Sequence, residues 1–229
     1  RFPMTLLMCQ QTPTYAALFT DTLGTDTRGG KNQPVLYATK VWTYLHANMA
    51  MVVTGLSDLG DGFDDRIRRR MGIRDIEELN KVATADLQQL HAGLLKWYEE
   101  NFPGEPVGTA TIYVFGFPAG SSEMVRYTYR SPKNFESERK VETEPMFFAK
   151  PPPRDGTFTV PMSREEAVAL ATLIREENGD GTEEGTVAIG GDLHVTFLEP
   201  NRISSELIHR FEDYEEIWQS MNGYAERKP

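Results

Sequence analysis

Three short runs in this sequence are apolar at nearly every position rather than at every second one. They are Leu6-Leu7-Met8-Cys9, Tyr15-Ala16-Ala17-Leu18-Phe19, and Met49-Ala50-Met51-Val52-Val53, the last closed by Thr54 and Gly55. A strand with one wet face alternates, whereas a strand covered on both faces reads as a continuous apolar run. Thr12-Pro13 marks a turn between the first two runs, so they predict a hairpin buried above and below. A sheet with two dry faces needs a layer on each side. That requirement constrains the chain to a layered architecture.

The remaining pattern supplies the layers. Gly24 to Pro34 is polar and Gly-rich and predicts a loop; Val35 to Thr39 and Val41 to Leu45 predict strands with Lys40 between them. His46-Ala47-Asn48 predicts a tight connection. Leu56, Leu59, Phe63, Ile67 and Met71 recur at helical spacing and predict a first helix ended by Gly72. Asp64 and Asp65 stand four residues before Arg68 and Arg69, the favourable acid-first order. A second helix is predicted from about Thr84 to Phe102, burying Leu87, Leu90, Leu94, Trp97 and Tyr98. Thr109 to Phe117 and Met124 to Tyr129 predict a hairpin, and Val141 to Ala149 a further strand. Ser163-Arg164-Glu165-Glu166 is a capping box, with Met162 and Ala167 placed for a hydrophobic staple. Val187 to Ile189 and Leu193 to Leu198 predict late strands. Leu207, Phe211, Tyr214, Trp218 and Met221 predict a closing helix from about Ser205 to Met221. Helices set between blocks of antiparallel strands define an α+β sandwich of layers, expected to form one domain over residues 1–229.

Charge and cysteine usage narrow the function. A net charge of -10 opposes non-specific binding to nucleic acid, which needs a basic field. No apolar run reaches the roughly 18 residues of a membrane span, and no secretory signal is visible. The single cysteine, Cys9, excludes an internal disulfide framework and suits a reducing, cytoplasmic compartment. Cys9 lies in the middle of a strand and reads as a small buried hydrophobe rather than a nucleophile. His46, His91, His194 and His209 lack ligand spacing, and Asp58, Asp61, Asp64 and Asp65 lack the spacing of a calcium loop, so no metal or cofactor is expected.

In this order the residues resemble the proteasome-type N-terminal-nucleophile (Ntn) hydrolases. Thr5 opens the first strand, and the hairpin closes in Thr20-Asp21-Thr22 at the interval that family keeps between nucleophile and acid. Lys40 heads a following strand, and Met49 to Leu56 looks like the family's strand that leads through a glycine into the first long helix. Met4-Thr5 and Val187-Ala188-Ile189-Gly190-Gly191-Asp192-Leu193-His194-Val195 are most similar to the bacterial Anbu-type branch. The resemblance implies a four-layer αββα sandwich, with two antiparallel sheets between helix layers. It also implies that Thr5 is the nucleophile with its own free α-amine as base, Lys40 its electrostatic partner, Asp21 the residue that orients the lysine, and the Gly55 N–H an oxyanion donor.

The implied reaction is hydrolysis of a peptide or amide through an acyl ester on Thr5. Residues 1–3 are then expected to be cloning residues, and Met4 a natural start removed to free Thr5. The resemblance further implies a homo-oligomeric ring and admits an ATPase or accessory partner, with no nucleic-acid or membrane partner. The segment Phe147 to Pro153 lacks the serine that the family often supplies, and Glu176 to Asp180 assigns no clear auxiliary partner. The alternative is therefore a catalytically inactive proteasome-like subunit used for assembly or binding.

Overall fold

A computed structural model describes residues 6–26, 33–70, 72–105, 107–183 and 186–225. In chain order the strands and helices are β1 (Leu7–Gln11), β2 (Ala16–Asp21), β3 (Leu23–Asp26), β4 (Gln33–Tyr37), β5 (Val41–Tyr44), β6 (Met49–Gly55), α1 (Ser57–Arg69), α2 (Ile76–Asn101), β7 (Ala110–Gly116), β8 (Val125–Arg130), β9 (Glu138–Val141), β10 (Met146–Lys150), α3 (Arg164–Asn178), β11 (Asp192–Glu199), β12 (Arg202–Arg210) and α4 (Tyr214–Ala225). Two five-stranded sheets carry the fold, ordered β10-β1-β2-β11-β12 and β5-β6-β7-β8-β9, with β3 and β4 as a separate ribbon. The pairings given for all three sheets are antiparallel.

The apolar runs divide by parity, because successive strand side chains point to opposite faces. On the first sheet Leu7, Cys9, Ala16 and Leu18 meet Ala50, Val52, Tyr113 and Phe115 of the second, and so form an apolar layer between the sheets. Leu6, Met8, Ala17 and Phe19 point the other way, against Ala167, Leu170, Ala171 and Ile174 of α3. Met49, Met51 and Val53 turn outward against Leu59, Phe63 and Ile67 of α1 and Ile76, Leu79 and Leu87 of α2. The contact order is thus helix pair, sheet, sheet, helix, a mixed α+β sandwich with its hydrophobic core in three leaves.

Several boundaries differ from expectation. The second helix begins at Ile76, two turns before Thr84, because Asp75 caps it and accepts from Glu78 N–H at 2.8 Å. Its apolar stripe extends upstream through Ile76, Leu79 and Ala83, while Trp97 is largely exposed and stacks edge-on with Tyr98 and Phe102. The first helix stops at Arg69, before Gly72, and Met71 lies outside the described residues. Its two predicted pairs are present, Arg68 to Asp64 and Arg69 to Asp65, each at 2.8 Å. The stretch Val141 to Ala149 is not one strand. Pro145 interrupts it, and β9 and β10 belong to different sheets.

The Gly24–Pro34 stretch contributes a short ribbon rather than only a loop, with β3 paired to β4 on either side of residues 27–32, which are outside the described set. Val187 to Ile189 are buried but form no ladder; they run as an irregular segment. Ser163 does cap α3, accepting from Glu166 N–H at 3.1 Å, and Glu166 reaches back to Met162 N–H at 2.6 Å. The staple is absent, since Met162 is 81% exposed. The closing helix is shorter than its periodicity suggests. Arg202–Arg210 pairs with β11 as a strand, leaving Leu207 45% exposed, and α4 begins only at Tyr214. Ladder hydrogen bonds along β12 outweigh a helical spacing made of only five residues. Among the described residues no helix is long and apolar enough to cross a membrane.

Candidate active site

Asp21 ends β2 in the middle of the first sheet, paired to Leu193 of β11, and its side chain is 0% exposed. A bare carboxylate there would be very costly, so its oxygens need donors. Three are present. Oδ1 accepts from Lys40 Nζ at 2.7 Å and from Leu6 N–H at 3.0 Å, and Oδ2 accepts from Gly190 N–H at 3.2 Å. Lys40 stands in the connection between β4 and β5, immediately before Val41, with its side chain 14% exposed. Its ammonium also donates to Leu23 O at 2.7 Å. Burial lowers the Lys40 pKa, and the charge and hydrogen bond of Asp21 oppose that shift. Lys40 therefore releases its proton more easily than a surface lysine does.

The cradle under Asp21 comes from the far end of the chain. Gly190 O accepts from both Thr22 N–H and Leu23 N–H, at 3.3 and 3.1 Å, and Asp192 N–H donates to Thr22 Oγ1 at 2.8 Å. Gly191 has φ of +78°, and a Cβ on it would lie 2.3 Å from Thr22 Oγ1 and 2.8 Å from the Tyr37 ring. Only glycine lets β11 begin this close to the end of β2. No functional role attached to Gly190 in the sequence; the visible signal was the Gly190-Gly191 pair itself, embedded in an apolar run.

Gly55 closes β6 in the second sheet with φ of +94°, and a Cβ there would stand 1.9 Å from Thr109 O. Among the described residues it makes no hydrogen bond to the side chains of Asp21 or Lys40, so the structure joins those two and leaves Gly55 on the facing sheet. Thr5 and Met4 lie outside the described residues, as do residues 1–3. The Phe147–Pro153 segment is largely β10, which pairs with β1 from Leu7 to Gln11. In the Glu176–Asp180 segment, Asn178 Oδ1 accepts from Val187 N–H at 3.2 Å and fastens the end of α3 to the run that leads into Gly190. Cys9 is buried between the sheets, its thiol pushed up to about 12 by burial, which keeps it protonated and unreactive.

Two facing antiparallel sheets, an outer helix pair, an opposite helix and a buried Asp–Lys pair at the mouth of the first hairpin define a proteasome-like fold. Three solved structures that this chain is similar to are more particular: they are Anbu proteins. The Anbu (ancestral beta-subunit) of Yersinia bercovieri superposes with a TM-score of 0.56 at 11% identity, covering 96% of this chain and 93% of that one. A Gly-1 mutant of Anbu from Hyphomicrobium sp. strain MC1 gives 0.57 at 11% identity, over 97% and 94%. The helical assembly of the Anbu complex from Pseudomonas aeruginosa gives 0.58 at 16% identity, over 98% and 97%. No protein-family model and no curated protein matches the sequence. The likeness to Anbu is therefore one of fold, spanning nearly the whole of both chains.

Proposed function

We propose that this chain is an N-terminal threonine hydrolase, a peptidase or amidase, acting through an acyl ester on Thr5 once Met4 has been removed. The observation that carries the reading is a shared oxygen: Asp21 Oδ1 accepts from both Lys40 Nζ and the N–H of Leu6, the residue that follows Thr5. The carboxylate thereby ties the start of the chain to the lysine. In this reading residues 1–229 form one subunit domain.

The chemistry follows from the residue types. Thr5 Oγ attacks the amide carbon, and its proton passes to the free α-amine of the same residue, whose ordinary pKa of about 7.7–8.0 suits a general base. Lys40 lies near that amine in this reading, and a neighbouring cation disfavours protonation of the amine. The Gly55 N–H faces the developing oxyanion, a contribution typically of about 2.7–4 kcal/mol. The amine leaves with a proton, and water then opens the ester with the α-amine again as base. A retained Met4 would occupy that amine as a peptide and remove the base.

Mass spectrometry of the N-terminus followed by an epoxyketone probe tests the reading. Protein with a verified free Thr5 is expected to gain the probe's mass on Thr5, and the Thr5→Ala variant to gain none. Free Thr5 that stays unlabelled would overturn the hydrolase and favour a non-enzymatic subunit of the same fold. We further propose assembly from copies of this chain, in keeping with a fold likeness to a protein solved as a complex. Light scattering on the purified protein is expected to give a mass several times the 25.9 kDa of one chain, and a monomer at micromolar concentration would reject it. An ATPase or accessory partner would be sought by co-purification with that assembly.

A further inference from the structure

The inner face of the β5–β9 sheet changes character across its width. On β6 and β7 it is apolar, built from Ala50, Val52, Tyr113 and Phe115. On β8 and β9 the same face carries Arg126, Thr128, Arg130, Glu138 and Lys140. Facing them from the edge of the other sheet, β10 contributes Phe148 and Lys150, and together they line a cavity of about 150 Å³. The inner faces of a sandwich normally interdigitate as apolar core. A cavity with four basic side chains there needs a reason.

The charges in it are only partly matched. Arg126 is 5% exposed. Its Nη2 donates to Glu142 Oε1 at 3.0 Å, its Nη1 has only Met146 Sδ at 3.6 Å, and the Phe148 ring lies 5.3 Å from the guanidinium carbon. Its Nε is buried and has no hydrogen-bond partner among the described residues. Such a donor is normally satisfied, and leaving one unmet is costly. Arg130 is occupied by Glu138, which Lys133 and then Arg130 hold in its charged form. Lys140 and Lys150 are exposed and make no ion pair among the described residues. The cavity thus offers two ammonium groups without an ion pair among the described residues, beside a buried arginine that carries one unmet N–H, in a chain whose net charge is -10.

Its rim lies at the same end of the sheets as the candidate active site. Lys150 pairs in register with Leu7, next to Leu6, whose N–H rests on Asp21. Arg130 pairs with Thr111, and the next residue along β7, Ala110, pairs with Gly55. One strand position is about 3.3 Å. The volume is below the roughly 300–1,000 Å³ of pockets that enclose drug-sized ligands, and suits one side chain.

We propose that this cavity is a substrate subsite that takes the carboxylate of a Glu or Asp side chain in the peptide to be cleaved. The proposal rests on the hydrolase reading for its substrate, but its test does not depend on turnover. End-blocked peptides that differ only in Glu against Gln, with that position moved stepwise along the chain, are titrated against the full protein by fluorescence anisotropy. Blocking both ends leaves the side chain as the only carboxylate. At one position the Glu peptide is expected to bind about tenfold more tightly than its Gln twin, the scale of one charge-assisted contact. The exposed pair K140Q/K150Q should bring the two within about threefold, with each single variant in between. Equal binding of Glu and Gln peptides at every position, or a preference that survives K140Q/K150Q, overturns the subsite. Hydrolysis of the same peptides is scored separately. Turnover without acid preference sinks the subsite and leaves the hydrolase standing, whereas acid-selective binding by protein with free Thr5 but no turnover supports the acid site and sinks the hydrolase.

Discussion

Asp21→Ala is expected to destabilise the fold by about 3–5 kcal/mol, the usual cost of stripping one partner from a buried ion pair. The substitution removes the hydrogen bonds from Lys40, Leu6 and Gly190 together, and leaves the Lys40 ammonium with Leu23 O as its acceptor among the described residues. For a chain of this length that corresponds to a fall in melting temperature of roughly 6–20 °C, read by calorimetry. The loss should depend on pH in a definite direction. Burial already lowers the Lys40 pKa, with Asp21 opposing it, so removing Asp21 lowers it further. A lysine whose folded pKa lies below its unfolded value favours the unfolded state while it is charged, and stability rises as pH climbs through the folded value. The deficit of Asp21→Ala relative to wild type is therefore present at neutral pH and shrinks toward alkaline pH, where the neutral amine needs no counter-ion. A melting temperature within 2 °C of wild type at neutral pH would show that the pair is not holding the hairpin.

Lys40→Ala is expected to slow attack by Thr5 Oγ about 10²–10³-fold, the range for loss of one preorganised electrostatic group. The measurement is the second-order rate of epoxyketone labelling on protein with a mass-verified free Thr5, compared with wild type under the same conditions. Lys40→Arg should recover little of the rate. A guanidinium keeps the charge, but its planar fork does not fit the two acceptors, Asp21 Oδ1 and Leu23 O, that the compact ammonium bridges at 2.7 Å each. Labelling of Lys40→Ala at the wild-type rate would detach the lysine from the chemistry and leave it as a buried structural cation.

Much of the layered fold was legible in one dimension. Continuous apolar runs such as Met49 to Val53 must be covered on both faces, and the two parities of β1 do separate into the inter-sheet leaf and the α3 leaf. Asp75 could have been read as a helix cap from Asp75-Ile76-Glu77-Glu78, the same local chemistry that identified Ser163. The misread closing helix had a different cause. Five residues at helical spacing are also compatible with a strand followed by a turn, and only a partner strand, β11, decides between them.

The candidate site divides in the same way. Asp21 and Lys40 could be paired through the family resemblance because intervals along a chain survive without a structure, and the structure joins them at 2.7 Å, whereas Gly55 stands on the facing sheet and its role belongs to the proposed reading. Gly190 was not legible, because its role depends on an N–H brought to Asp21 Oδ2 from 169 residues away. Nor was the basic cavity. Arg126, Arg130 and Lys140 alternate along β8 and β9 as ordinary solvent-facing residues would, and β10 falls inside a stretch that reads as one continuous strand. Order along the chain was enough for buried strands and for an acid and a lysine at set intervals. Tertiary structure alone decided which face each charge occupies, because the register between strands, and the crossing of the chain from β9 to β10, are set by packing across the sandwich rather than by neighbours along the chain.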